Sequence, residues 1–172
     1  IINLKERIAA VITKLQEASI VAKKDIDKIY LKRCDYKQDN SLPDVENSGT
    51  EFKNGEQWGG EADTHYWFYT EITLDKEIDK GEVRFVFDTY LTDDWEKTYP
   101  QFLVYLDGKL KQGVDSNHNY IVLKEKKTYG IHIYAYTGMY FKKNINLNLQ
   151  IQIVDKETER LIYNLLSPFQ IL

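Results

Sequence analysis

The residues of this chain best suited to metal binding or nucleophilic chemistry are three histidines and one cysteine, and their spacing supports neither. His65 opens an alternating stretch, His118 falls in a polar one, and His132 sits in the middle of another alternating run. None belongs to a His-x-x-x-His or His-x-Asp pair, the spacings that turn two ligands toward one ion. Asp115 and His118 are three apart, but a metal there would need further ligands that the neighbouring sequence does not supply. No Ser-His-Asp or Cys-His set can be assembled, no glycine-rich phosphate cradle is present, and Gly59-Gly60 reads only as a turn. Asp93-Asp94 could in principle face each other as glycosidase carboxylates, yet adjacent acids in a turn are ordinarily solvated. What remains is chemistry of binding. Trp58, Trp95, Tyr99 and Tyr140 are candidates for stacking on a pyranose ring, against the plainer expectation that they pack in a core or at strand ends.

Pro100 to Leu123 is the stretch that could position a polar surface. Phe102, Val104 and Leu106 alternate with Leu103 and Tyr105, and Asp107-Gly108 follows at once. An Asp-Gly pair between alternating apolar runs predicts a hairpin, because a type I′ turn needs positive φ at both central residues. Lys109 to Gln112 returns as a short strand, and Gly113 to Asn119 then interrupts the apolar pattern before Tyr120 to Leu123 resumes it. Gly113 lets the chain turn and Asp115 can bond backbone amides two residues on. Asn117 and His118 would then face outward, so that Gly113, Asp115, Asn117 and His118 form a candidate domain-interface loop.

The elements that must hold these residues are mostly strands. A length of 172 residues with 42% hydrophobic content is enough for one domain with a proper core. Thirteen Tyr, seven Phe and three Trp favour strands. Tyr66 to Leu74, Glu82 to Tyr90, Thr128 to Thr137 and Ile145 to Ile153 alternate apolar with polar or aromatic residues, without crossover helices between them. That spacing predicts a mainly β fold, an antiparallel β-sandwich, over residues 55–155. Ahead of it Leu4, Ile8, Val11, Ile12 and Leu15 lie on one stripe at helical spacing, with Asn3 and Glu6 placed as a capping box, so that Leu4 to Tyr30 reads as helix. Residues 1–33 form this N-terminal helical segment and hold eight basic and four acidic residues; the segment from Cys34 to Asp63 holds two and eight. Residues 34–54, with turn signals at Pro43 and Gly49, read as an acidic linker.

A net charge of −4 argues against a nucleic-acid partner. No run of about 18 apolar residues is present, so no membrane span is expected. Cys34 is the single cysteine, which excludes an intrachain disulfide and favours a reducing, cytoplasmic setting. The chain lacks an initiator Met and ends on Pro168-Phe169-Gln170-Ile171-Leu172, which leads to the expectation of a segment cut from something longer, with residues 156–172 as the connection onward.

Two blocks carry a resemblance to a known family. Leu103-Val104-Tyr105-Leu106-Asp107-Gly108 with Gln112-Gly113-Val114-Asp115-Ser116-Asn117-His118 resembles the non-catalytic N-terminal domain of glycoside hydrolase family 38 α-mannosidases, in the cytosolic and bacterial branch. Gln57-Trp58-Gly59-Gly60, followed by Asp63 and His65-Tyr66-Trp67-Phe68, looks like the same domain's earlier motif. The resemblance implies a jelly-roll, galactose-binding-like β-sandwich that packs on a catalytic barrel of the same polypeptide. It also implies a zinc-dependent retaining mechanism whose ligands and Asp nucleophile all lie in that later barrel, so no catalytic or metal residue carries over and no cofactor is expected in this chain. A mannose-containing oligosaccharide is the implied substrate of the parent enzyme, and self-association is left open. The alternative is a sugar-binding module that itself holds mannose-containing glycans.

Overall fold

A computed structural model describes residues 3–36, 39, 41–74, 81–91, 99–124 and 127–169. In chain order the elements are helix α1 (Leu4–Ser19), strands β1 (Ile20–Asp25) and β2 (Ile29–Cys34), the short helix α2 (Val45–Ser48), strands β3 (Thr50–Phe52), β4 (Gln57–Gly59), β5 (His65–Thr73), β6 (Glu82–Asp88), β7 (Gln101–Leu106), β8 (Lys109–Val114), β9 (Tyr120–Leu123), β10 (Thr128–Tyr136), β11 (Asn144–Asn146) and β12 (Asn148–Val154), and helix α3 (Lys156–Phe169). The fold is mainly β. Four strands in the order β1-β12-β6-β9 make one sheet, six in the order β3-β2-β5-β10-β7-β8 make the other, and β11 pairs with β4. Every described pairing is antiparallel. The inward residues of both sheets meet in one core that includes Phe68, Phe102, Val104, Ile131 and Ile133 from the larger sheet and Phe85, Phe87, Ile121 and Leu149 from the smaller. This is the antiparallel sandwich that the alternation predicts. Among the described residues no helix is long and apolar enough to cross a membrane.

Local chemistry fixes the hairpin. Asp107 and Gly108 have φ of 48° and 82°, both in the left-handed region, and β7 pairs with β8 across them from Leu106↔Lys109. Asp107 is held in place by the Lys127 ammonium at 2.9 Å and the Gly130 amide at 3.0 Å, which together keep its carboxyl below the usual range. A Cβ at Gly108 would meet nothing within 4 Å, so a substitution there costs only backbone strain. Gly108→Ala is expected to lose about 1 kcal/mol, measured by chemical denaturation, and a neutral result would mean that the turn relaxes to another type.

The N-terminal expectation needs correction. The capping box forms, with Asn3 Oδ1 accepting from the Glu6 amide and Glu6 accepting from the Asn3 amide, but the helix stops at Ser19 rather than reaching Tyr30. Ile20 to Asp25 instead joins the smaller sheet as an edge strand, paired with β12 from Ile20↔Val154 to Asp25↔Gln150. Ile26 and Ile29, which extend the helical stripe on paper, are buried in the sandwich core at the ends of β1 and β2. The sandwich therefore begins before residue 55. Nor is 34–54 a plain linker: β2 runs to Cys34, β3 pairs with β2, and Val45 of α2 is only 1% exposed against the outer face of the larger sheet. At the other end α3 packs beside α1.

The stretch from Ile145 to Ile153 is two strands, broken at Leu147. Ile145, Leu147 and Leu149 are fully buried while Ile151 and Ile153 are only half-buried. At the break the Leu147 carbonyl accepts from the Gly55 amide at 2.8 Å and its amide donates to the Glu56 carbonyl at 3.2 Å, while just beyond it the Asn54 side chain accepts from the Leu149 amide at 2.7 Å and donates to its carbonyl at 2.8 Å.

Candidate functional site

Because side chains alternate across a strand, the larger sheet has an outer face as well as a core face. Register sets His65 opposite Tyr136, Trp67 opposite Tyr134 and Tyr69 opposite His132, with Gln101 and Leu103 of β7 on the far side of Tyr136 and Tyr134. Cross-strand partners on one face have Cβ atoms about 5 Å apart, so these rings must touch. Half of the face is sealed: Val45, Trp67, Tyr105 and Tyr134 form a second apolar cluster, flanked by Leu42, Tyr30, Cys34 and Tyr69. His132 lies under this cover with Nε2 3.2 Å from the Pro43 carbonyl oxygen, and burial pushes its imidazole below the usual range. Cys34 is half-buried there, and burial pushes its thiol up to about 11, too high for a reactive thiolate.

The other half is open. Beyond Tyr134 the face ends in a cleft of about 630 Å³ lined by residues that include Tyr36, Asp63, His65, Gln101, Leu103, Gly113, Asp115 and Tyr136. The His65 ring lies nearly parallel to Tyr136, with centroids 4.8 Å apart and 14° between planes, and to Tyr134 at 5.7 Å and 13°. Its Nδ1 is 2.8 Å from the Tyr134 hydroxyl, and its Nε2 is 4.0 Å from Asp63 Oδ1. The Tyr136 hydroxyl donates to the same Asp63 oxygen at 3.1 Å; burial first, and then this bond, raises the Tyr136 phenol above its ordinary range. Asp63 itself has φ of 56°, a conformation Asp tolerates better than most residues. Tyr36 stands edge-on to His65 at 5.6 Å.

Asp63, His65 and Tyr134 thus form a chain of polar contacts along the cleft wall, in which the Tyr134 hydroxyl is engaged with His65 Nδ1. The arrangement orients rings and presents hydrogen-bonding tips around an opening. Among the described residues no group of three or more His, Cys, Asp or Glu is placed to hold a metal.

Of the residues read from sequence, Gly113 and Asp115 line the cleft, but Gly113 is not part of the turn: it lies within β8, paired with Leu103, and the loop begins only after Val114. Asp115 Oδ1 accepts from the amides of Asn117 and His118, both at 2.8 Å, and the Asp115 amide donates to the His118 carbonyl at 3.3 Å. Asn117 and His118 stand outward, His118 with its side chain 84% exposed and its Nδ1 3.6 Å from Asp115. The four stacking candidates do not come together. Trp58 is 4% exposed in the core and has no open face for a sugar, because Tyr66, Phe68 and Phe102 surround it. Tyr140 is 85% exposed, Tyr99 lies against Gly138 and edge-on to Tyr136, and Trp95 lies outside the described residues, as do Asp93 and Asp94.

No known family model and no curated protein matches this chain. Its site is therefore read from geometry. The cleft residues that sequence reasoning passed over are Tyr36, Gln101, Tyr134 and Tyr136, while Asp63, His65 and Leu103 entered it only within the two blocks of resemblance and not as site residues. The available signal was the outward series His132, Tyr134, Tyr136 in a strand whose outer face should be polar if water covers it.

Proposed function

We propose that the chain is an ancillary, non-catalytic domain of a zinc-dependent retaining α-mannosidase, a cytoplasmic glycoside hydrolase, and that it packs against and supports a catalytic barrel. One observation carries this reading. The two blocks through which the sequence resembles such domains are far apart in the chain yet fold around one place: Asp63 and His65 from the first and Leu103, Gly113 and Asp115 from the second line the same cleft, while Trp58 of the first packs on Phe102 beside the second. The zinc implied by the resemblance finds no ligand set among the described residues, and no chemical step is assigned to this chain. Its contribution is shape and contact.

The loop from Asp115 to His118 is the docking surface in this reading. It is held by Asp115, which pins two successive amides, and it presents the exposed side chains of Asn117 and His118 to the outside, with the His118 ring 3.6 Å from Asp115. His118→Ala is expected to leave the melting temperature of the 172-residue chain nearly unchanged. In a longer protein that carries the barrel it should cost about 1–3 kcal/mol, since a polar group across the interface loses its partner, and it should lower hydrolysis of an aryl α-mannoside. Equal shifts in both proteins, or none in either, would reject the docking surface. A longer protein without zinc-dependent α-mannosidase activity would reject the family reading. The open cleft favours a second reading, in which the domain itself holds glycans.

A further inference from the structure

We infer that the cleft between Tyr36, Asp63, His65, Leu103, Asp115 and Tyr136 is a binding site for a neutral pyranose. This deepens the second reading above and does not depend on a barrel or on α-mannosidase chemistry.

Size and construction come first. A volume of about 630 Å³ lies in the range of small-molecule sites, roughly 300–1,000 Å³. Such sites combine apolar walls with a few fixed polar groups. Here Tyr36, 69% exposed, and the part-exposed Leu103 supply apolar surface at the opening, and Phe102 and Val114 lie beneath it. The polar groups are Asp63, His65, Gln101 and Asp115, and two of them are held in advance: Asp63 by the Tyr136 hydroxyl and Asp115 by two amides. A site whose hydrogen-bonding groups are already oriented loses little entropy when a ligand arrives.

Charge and ring geometry then select the ligand. Among the described residues that line the cleft are two carboxylates and no Lys or Arg, a set that disfavours an anion. A quaternary ammonium would need aromatic faces converging on one point, because the face of a ring is its negative part and the edge its positive part. His65 lies parallel to both Tyr134 and Tyr136, so its faces are turned to other rings and not to the opening. What the cleft offers is one exposed ring, one aliphatic side chain, and carboxylate, amide and imidazole groups around them. That set suits a ligand with an apolar C–H face and hydroxyls at its edge, whose protons a carboxylate accepts. A neutral sugar ring has both.

Calorimetric titration of the full 172-residue chain tests this with methyl α-mannopyranoside, methyl β-glucopyranoside and methyl β-galactopyranoside, and with glucuronate and tetramethylammonium as charged probes. At least one neutral pyranoside is expected to saturate a single site while the charged probes do not. Tyr36→Ala, at a position too exposed to disturb folding, should weaken that binding about tenfold, the equivalent of 1.4 kcal/mol. Asp63→Asn should weaken it as well, and Tyr163→Ala, an exposed tyrosine on α3, should not. Failure of all three pyranosides, binding of a charged probe alone, or pyranoside binding indifferent to both Tyr36→Ala and Asp63→Asn would each overturn the assignment. Failure of the His118 docking test would leave these outcomes untouched.

Discussion

Trp58→Ala is expected to destabilise the sandwich by about 3–5 kcal/mol, the range for deleting a large aromatic from a packed interior. The indole meets Tyr66 and Phe68 of β5 edge-on, both at 5.3 Å, and lies tilted on Phe102 of β7 at 6.0 Å, so it joins two strands of the larger sheet to the short pair formed by β4 and β11. Alanine would leave a cavity in the part of the core where Ile145 is also fully buried and the backbone cannot collapse without breaking the β4 pairing. Trp58→Phe should cost markedly less. Among the described residues the indole Nε1 is buried without a hydrogen-bond partner, so phenylalanine removes an unsatisfied donor along with the volume it gives up. Urea denaturation reads both, with a shifted midpoint and an unchanged slope. Equal losses for the two variants would show that the donor is satisfied in solution, and a loss below about 1 kcal/mol for alanine would remove Trp58 from the core. Because Trp58 does not line the cleft, Trp58→Phe should also leave pyranoside binding intact.

The parts of this fold that were legible from sequence are those decided within a few residues. Asp107-Gly108 specifies its turn because two successive left-handed residues admit few alternatives, and Asn3 with Glu6 closes a capping box across one helical turn. The strands from His65 to Thr73 and from Thr128 to Tyr136 follow from alternation. Where the sequence misleads, a distant partner decides. Ile26 and Ile29 satisfy a helical stripe, yet pairing of Ile20 to Asp25 with the edge of β12 outcompetes it, and Lys23 and Lys24 then guard that edge. The acidic composition of 34–54 hides Val45 and Leu42, the apolar residues of that segment that join the cluster on the outer sheet face. The cleft was hidden for the same reason. Nothing local says that β5 and β10 are neighbours in a register that brings His65 onto Tyr136, and only that register turns scattered aromatics into a site.

Glu159→Ala is expected to cost about 3 kcal/mol at neutral pH, because it strips a buried cation of its principal partner. Arg84, on β6, is 7% exposed and its guanidinium lies 4.1 Å from the Tyr120 ring centroid. It meets Glu159 of α3 through two contacts of 2.7 and 2.9 Å and Glu82 through contacts of 2.7 and 2.8 Å, while Lys156 approaches Glu159 at 2.6 Å. This cluster fastens α3, and α1 packed beside it, to the smaller sheet. Glu82 remains in the variant, which keeps the loss at the lower end for a broken buried pair. The Arg84 hydrogen bond holds the Glu159 carboxyl below its ordinary range, against the opposing effect of burial. A carboxyl depressed in the folded state contributes stability that is fully present above its unfolded value, about 4.5, and is lost as pH falls through the folded value. The gap between the original chain and Glu159→Ala should therefore be widest near pH 7 and narrow steadily as acid is added below pH 4.5. Urea midpoints taken from pH 7 downward test this, and a gap that stays constant would mean that Glu159 acts through packing and not through its charge. The double variant Arg84→Leu, Glu159→Leu should recover part of the loss, since two apolar side chains remove the buried cation and its helix partner and leave Glu82, about one-quarter exposed, with Lys156 at 3.7 Å; a double variant no better than Glu159→Ala would show that the helix pair needs the ionic clasp itself.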